Sequence, residues 1–409
     1  LVGLWLALRV VTLLVAALVS PLRPLTAREQ AIALWPPSAP PGAWLERALL
    51  APWERRDSLY YIAIVARGYR ADDGTAQFHP LPAWLALLPA ALTGSPLLGL
   101  VLVSSLAALL LLLAFDRLAR LDLPPGQARV ATALLASAPP AFILFAPYSE
   151  ALFLLWATLC LLWMRQGRWW LAGLAGALCA LTRQQGVLLA LPLAVELWQS
   201  RRRTKDEGRR TKDGGQEMTA LPLYRSNAPT LYRWLAPLLP VAGLLVWLVY
   251  RGLALSDVRV SLGGLQALIF SLLISPSAAK VVPEQAFLWP WDALGRALAI
   301  FWRAPDYSLA IDLGLGFGFV VLLALAWPRL RASYRAYSLA IALISFAYYT
   351  GPHYPSMGLP RHLLLACPVF IGVAPLVVRP AWLRVGLLGA SLLGLLFLLL
   401  QYVIGGWVP

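Results

Sequence analysis

The stretch Trp53–Arg70, WERRDSLYYIAIVARGYR, sets one carboxylate among aromatic rings. On a helix, Trp53, Asp57, Tyr60, Tyr61 and Ile64 fall at i, i+4, i+7, i+8 and i+11, so one face would carry Asp57 framed by three rings. A carboxylate so placed can take a proton from a hydroxyl, and the rings offer apolar faces on which a pyranose stacks. The plainer account of the same spacing is an interfacial amphipathic helix. Its rings would join the aromatic belt of a membrane surface, and Asp57 would oppose the positive end of the helix dipole.

Other groups that could carry chemistry are sparse. Within the apolar runs ionisable residues are few, Arg9, Glu196 and Asp312 among them. Glu196 and Asp312 stand near run ends, where they can reach the interface, and Arg9 could face the bundle or a lipid phosphate. Asp72-Asp73 in the turn-like ADDG could help to hold a divalent cation or form a solvated loop. The three histidines are scattered, and the three cysteines (Cys160, Cys179, Cys367) lie in apolar runs without C-x-x-C spacing. Neither set suggests a metal ligand group or a disulfide framework, so no metal and no firm cofactor is expected. Gly314, Gly316 and Gly318 follow no strand and read as helix packing rather than nucleotide binding, as do Ala172 and Gly176.

The elements that must position these residues follow from composition. Of 409 residues 60% are hydrophobic and 13% charged, with a mean hydropathy of +0.70. A soluble domain has about 45–50% apolar and about 25% charged residues, so the surplus must face lipid. Apolar runs at about 1–20, 96–115, 129–146, 149–164, 169–182, 184–198, 234–250, 308–327, 336–350, 363–378 and 386–404 make eleven expected spans. The first is read as a span because about 20 apolar residues exceed the 7–15 of a signal-peptide core. Stretches 81–94, 263–275 and 286–301 are short and read as re-entrant or interfacial.

Placing the first helix with its N-terminus inside puts 19 basic residues on short cytoplasmic segments and 14 on the longer outer loops. The +15 net charge is therefore a topology signal, and no nucleic-acid partner is expected. The basic tract 199–233, with its near-duplicate RRTKDEG and RRTKDGG, reads as a solvated cytoplasmic linker inside a single integral domain, 1–409. The polar residues gather in the outer loops, above all 21–80, so the functional surface is expected outside.

Four outer segments then become recognisable. Trp53, Asp57, Tyr60, Ile62, Ala63, Gly68 and Tyr69, followed by His79-Pro80 and Pro82, resemble the first luminal loop of the PIG-V-like mannosyltransferases, the family of the second GPI mannosyltransferase and its bacterial relatives. PYSEALFLL at 147–155 looks like the family's Tyr-Ser-Glu turn, TRQQGVLLALP at 182–192 like its Thr-Arg-x-x-Gly turn, and PSMGLPRHLLLACPVFI at 355–371 like its Pro-Arg-Tyr segment. His362 stands where the family usually has tyrosine and His79 where it usually has phenylalanine, departures that bear on sugar specificity more than on fold.

The resemblance implies an all-α polytopic protein of the C-type glycosyltransferase fold, with about eleven (10–13) spans and interfacial helices in the first outer loop. It implies a polyprenyl-phosphate sugar donor, mannose being expected, and a lipid, glycan or protein acceptor on the extracytoplasmic side, here of a bacterial plasma membrane. Asp57 would be the general base of an inverting transfer. On the sidedness of their segments alone, Arg361, His362 and Arg183 are the candidate donor phosphate ligands, each alternatively an interfacial side chain that snorkels to the membrane surface. Trp53, Tyr60, Tyr61, His79 and Glu150 would contact sugar or acceptor, Glu150 alternatively capping the helix after Ser149. The rival class is a transporter or flippase of lipid-linked saccharides, for which paired mid-membrane charges and an internal repeat would be expected and are not evident.

Overall fold

In a computed structural model of the chain, residues 1–22, 48–212, 230–255 and 285–405 are described, without the side chains of 202–212 and 230–232. The stretch 263–275 and the last three residues of the second basic repeat lie outside them.

The apolar runs form helices. In chain order these are α1 (Val2–Val19), α2 (Asp57–Arg67), α3 (Pro80–Thr93), α4 (Pro96–Ala119), α5 (Pro125–Ser137), α6 (Glu150–Arg165), α7 (Trp169–Thr182), α8 (Ala190–Lys212), α9 (Thr230–Leu235) and α10 (Leu238–Ala254). After these come α11 (Pro290–Arg303), α12 (Tyr307–Ala326), α13 (Ala332–Ala347), α14 (Leu359–Leu364), α15 (Pro368–Val377) and α16 (Ala381–Ile404). Among the described residues the only strand pairing is a two-residue antiparallel pair, β1 (Ala286–Phe287) on β2 (Tyr348–Tyr349).

Four helical stretches, Val2–Leu22, Pro96–Ala119, Tyr307–Arg329 and Ala381–Ile404, are long and apolar enough to cross a membrane. Their outer faces expose Leu6, Leu14, Leu18, Leu106, Val321 and Leu393, as an integral membrane protein requires. The 24-residue α4 starts cleanly because Pro96 has no amide hydrogen to leave unpaired and Ser95 Oγ accepts from the Leu98 amide.

A continuous core joins the first eight helices to α12–α16. The first helix packs against the last, and α6 is buried between α4 and α7. Small residues set the close crossings. A side chain at Gly176 would meet Pro240 Cγ of α10 at 2.5 Å, and one at Gly316 would meet Leu359 of α14 at 2.7 Å, whereas Gly314 and Gly318 face open space.

The polar residues fall into two layers. One holds the cavity described below. In the other, Arg165 at the far end of α6 donates to Asp122 (2.7 Å) and to the Tyr334 hydroxyl (2.9 Å), and Glu196 is held by Arg331 (3.0 Å) and Ser333 (2.8 Å).

Two expectations change, and for Arg9 the first of two alternatives holds. Glu196 is buried and paired rather than reaching the interface. Arg9 faces the bundle, its guanidinium donating to the Phe145 carbonyl at 2.6 Å. The tract after residue 198 is not all linker, since α8 runs on to Lys212, as its Arg, Lys and Glu content favours.

Candidate active site

The segments singled out in the sequence converge on one cavity of about 180 Å³. Each is held by a local device. The chain enters α2 through Arg56, a non-glycine residue at φ +54°, a conformation that costs about 1–3 kcal/mol and persists only where the surroundings impose it. That turn sets Asp57 at the first position of α2, where the helix dipole favours a carboxylate.

Arg183 follows α7 in a turn closed by the Gly186 amide on the Arg183 carbonyl (3.0 Å). A side chain at Gly186 would lie 2.3–2.5 Å from the backbone of Cys179 and Ala180, so only glycine permits this turn. Arg361 and His362 sit on α14, entered through Gly358 at φ +73° and buried at every residue from Leu359 to Leu364.

The charged groups form a chain. Arg361 Nη1 donates to Asp57 Oδ2 at 2.6 Å across 304 residues of sequence, and its Nε lies 3.4 Å from Glu150 Oε1. The same Glu150 oxygen accepts from Arg183 Nη1 at 2.5 Å, and Arg183 also donates to Ser149 Oγ at 3.0 Å. The Asp57 side chain is 27% exposed, whereas Glu150 is fully enclosed. Burial lowers the pKa of Arg361, but Asp57, Glu150 and Tyr148 outweigh it, and the guanidinium stays charged.

Two histidines line the cavity uncharged. His79 Nδ1 lies 2.7 Å from the Ala180 carbonyl, which can only accept, so the proton is on Nδ1 and Nε2 is left as an acceptor. Burial pushes its pKa down to about 3, against the opposing pull of that hydrogen bond and with help from Arg251 and Arg183. His362, edge-on to Tyr348, is held well below the ordinary histidine range by burial and by Arg361 and Arg183. Burial raises the Tyr61 hydroxyl, which therefore stays protonated.

Asp57, Tyr61, His79, Arg183, Arg361 and His362 thus border one space. Three other residues expected to touch sugar do not border it. Trp53 lies in a short 3-10 turn before α2 and is wholly buried between Tyr402 and Arg9. The helical register assumed from Trp53 onward is broken at Arg56. Tyr60 stacks on Phe78 at 4.7 Å. Glu150 stands behind the two arginines, and Ser149 makes no side-chain cap to α6.

Asp73 is taken by Arg67 and Thr75. Among the described residues no three His, Cys, Asp or Glu side chains lie close enough to hold a metal. Sequence reasoning passed over the amides, for Gln77, Gln184, Gln185 and Gln285 also line the cavity. Two of them stand openly in the T-R-Q-Q-G turn, but no periodicity brings the other two near.

Comparison with known proteins bears on the fold. Residues 77–208 match the profile of the family described as dolichyl-phosphate-mannose-protein mannosyltransferase. The chain is similar to the crystal structure of ArnT from Cupriavidus metallidurans bound to undecaprenyl phosphate, with a TM-score of 0.50 and 14% identity over 99% of this chain and 78% of that one. No curated protein matches. The architecture is that of the C-type glycosyltransferases, as the resemblance implied.

Proposed function

We propose that the protein is a membrane glycosyltransferase that moves a sugar from a polyprenyl-phosphate donor to a hydroxyl-bearing lipid, glycan or protein. In this reading mannose is the sugar, the site opens on the extracytoplasmic side of a bacterial plasma membrane, and the chain is kin to the PIG-V-like enzymes whose motifs its own resemble. The observation that carries this reading is the contact of Asp57 with Arg361 at the edge of a cavity of single-sugar size. A proton acceptor and a phosphate ligand are there within one hydrogen bond of each other. The family profile over residues 77–208 and the undecaprenyl phosphate in the ArnT structure support the donor class.

The geometry suggests how the groups divide the work. Asp57 removes the proton of the acceptor hydroxyl, whose oxygen attacks the anomeric carbon on the face opposite the lipid phosphate. The new C–O bond forms as the bond to the phosphate oxygen breaks. The electron pair stays on the phosphate, and the anomeric centre inverts. As Asp57 gains its proton it loses charge, while the leaving phosphate gains one. Arg361 touches the first and can reach the second, so its attraction passes from base to leaving group, with Arg183 beside it. The amides and the Nε2 of neutral His79 are suited to sugar hydroxyls. A flippase would be expected to carry paired charges at mid-membrane and an internal repeat, and no such repeat is evident in the sequence.

The test is transfer of radiolabelled mannose from polyprenyl-phosphate mannose in membranes containing wild type or Asp57→Asn. Loss of the base is expected to slow transfer by about 10²–10⁴-fold. Transfer by the variant at the wild-type rate would refute the assignment.

A further inference from the structure

Glu150 presents a puzzle that the reaction scheme does not use. It is fully enclosed, and a carboxylate removed from water is unfavourable unless cations compensate it. Its Oε1 accepts a hydrogen bond from Arg183 (2.5 Å) and pairs electrostatically with Arg361 Nε at 3.4 Å, while Oε2 has no hydrogen-bond partner among the described residues. Each arginine has a second, different anchor, Ser149 for Arg183 and Asp57 for Arg361. Glu150 is therefore the group through which the two guanidiniums are tied to one another.

Two like charges so close would otherwise swing apart, Arg361 fully onto Asp57 and Arg183 onto Ser149. Each guanidinium carries five N–H donors, and the shared oxygen engages few of them. The others are not taken up by that oxygen, and both arginines border the cavity whereas the glutamate does not.

We propose that Glu150 is a positioning residue that fixes the spacing and orientation of Arg183 and Arg361, and so builds a two-guanidinium receptor for the phosphate of a lipid-linked substrate without touching sugar or acceptor. The identity of the anion rests on the glycosyltransferase reading. The clamp itself rests on the distances alone.

The experiment measures binding of undecaprenyl phosphate, which carries no sugar, to the full-length protein in nanodiscs. Wild type, Glu150→Gln, Glu150→Asp, Arg183→Gln and the Glu150→Gln/Arg183→Gln double variant are compared, along with kcat and KM for the glycosylated donor. Glu150→Gln keeps the shape and removes the charge. Glu150→Asp keeps the charge and withdraws the oxygen by one methylene, and it remains as a probe if the glutamine variant does not accumulate.

Each single glutamate variant should weaken binding of the sugar-free lipid at least tenfold, with a matching rise in KM for the donor. The double variant should lose less than the product of the two single losses, because both changes act on one clamp. Binding of undecaprenyl phosphate by either glutamate variant as tightly as by wild type, or more tightly, overturns the proposal. A loss seen only with the glycosylated donor would instead make Glu150 a sugar ligand, which also overturns it. Absence of binding by wild type would refute the donor class and the receptor together, whereas equal binding by wild type and variants removes the clamp and leaves the donor class standing.

Discussion

His79 and His362 are buried in the cavity wall, and each has its pKa depressed, His79 to about 3. An unfolded histidine titrates near 6.5, so between that value and about pH 3 the unfolded chain binds a proton that the folded His79 refuses. The stability tied to these rings is present above about pH 6.5 and is lost as the pH falls. At pH 5 the loss is about 2 kcal/mol for His79. Thermal unfolding followed by tryptophan fluorescence should show the midpoint falling from pH 7 to pH 5, and His79→Gln should flatten that dependence. An unchanged slope would show that the ring titrates freely.

Asp57, Arg183, Arg361 and both cavity histidines could be picked out from the chain because charged and imidazole groups are rare in so apolar a sequence. Trp53 was misplaced because spacing assumes an unbroken helix, and the unusual backbone at Arg56 leaves no trace in periodicity; Tyr60 shares the helix of Asp57 but stacks on Phe78, a partner no spacing announces.

Among the elements, the turn between α7 and α8 depends on a single close approach. Gly186→Ala would press a methyl group against the backbone of Cys179 and Ala180. Backbone cannot step aside as a side chain can, so the variant is expected to lose about 1–3 kcal/mol of stability and to displace Arg183. A lowered melting temperature together with weakened lipid-phosphate binding would bear this out, and wild-type behaviour in both would contradict it. The helices themselves were legible, since each long apolar run became one. Their interruptions were less so: 139–144 and 184–189 are 3-10 turns inside runs that read as continuous. Proline marks the first, and the tight packing of Gly186 accounts for the second.

Across the whole molecule, α6 joins two polar layers, with Glu150 at one end and Arg165 at the other. Its 16 residues span about 24 Å, close to the roughly 30 Å of a bilayer's hydrocarbon. The layers should therefore face opposite sides of the membrane, as the distribution of basic residues indicated. The native cysteines are all buried, so a single introduced thiol can be read against a low background. Arg70→Cys, exposed near the cavity layer, should react with an impermeant maleimide in intact cells. Arg329→Cys, exposed near the other layer, should react only after permeabilisation. Labelling of both from the same side would refute the arrangement. Legibility was uneven at this scale as well. An expectation of sidedness can be drawn from composition, but the 304-residue contact between Asp57 and Arg361 is a product of folding that no local pattern encodes.

The two guanidiniums and two carboxylates of the site cancel one another. An empty chamber with no net charge exerts little long-range pull on dissolved anions, so inorganic phosphate and free sugar phosphates from bulk water have slight reason to enter. A substrate moored in the bilayer needs no such attraction, because its hydrocarbon tail already confines it to the plane where the chamber opens. Electrical neutrality at rest thus works as a filter, leaving admission to the tail and recognition to the headgroup.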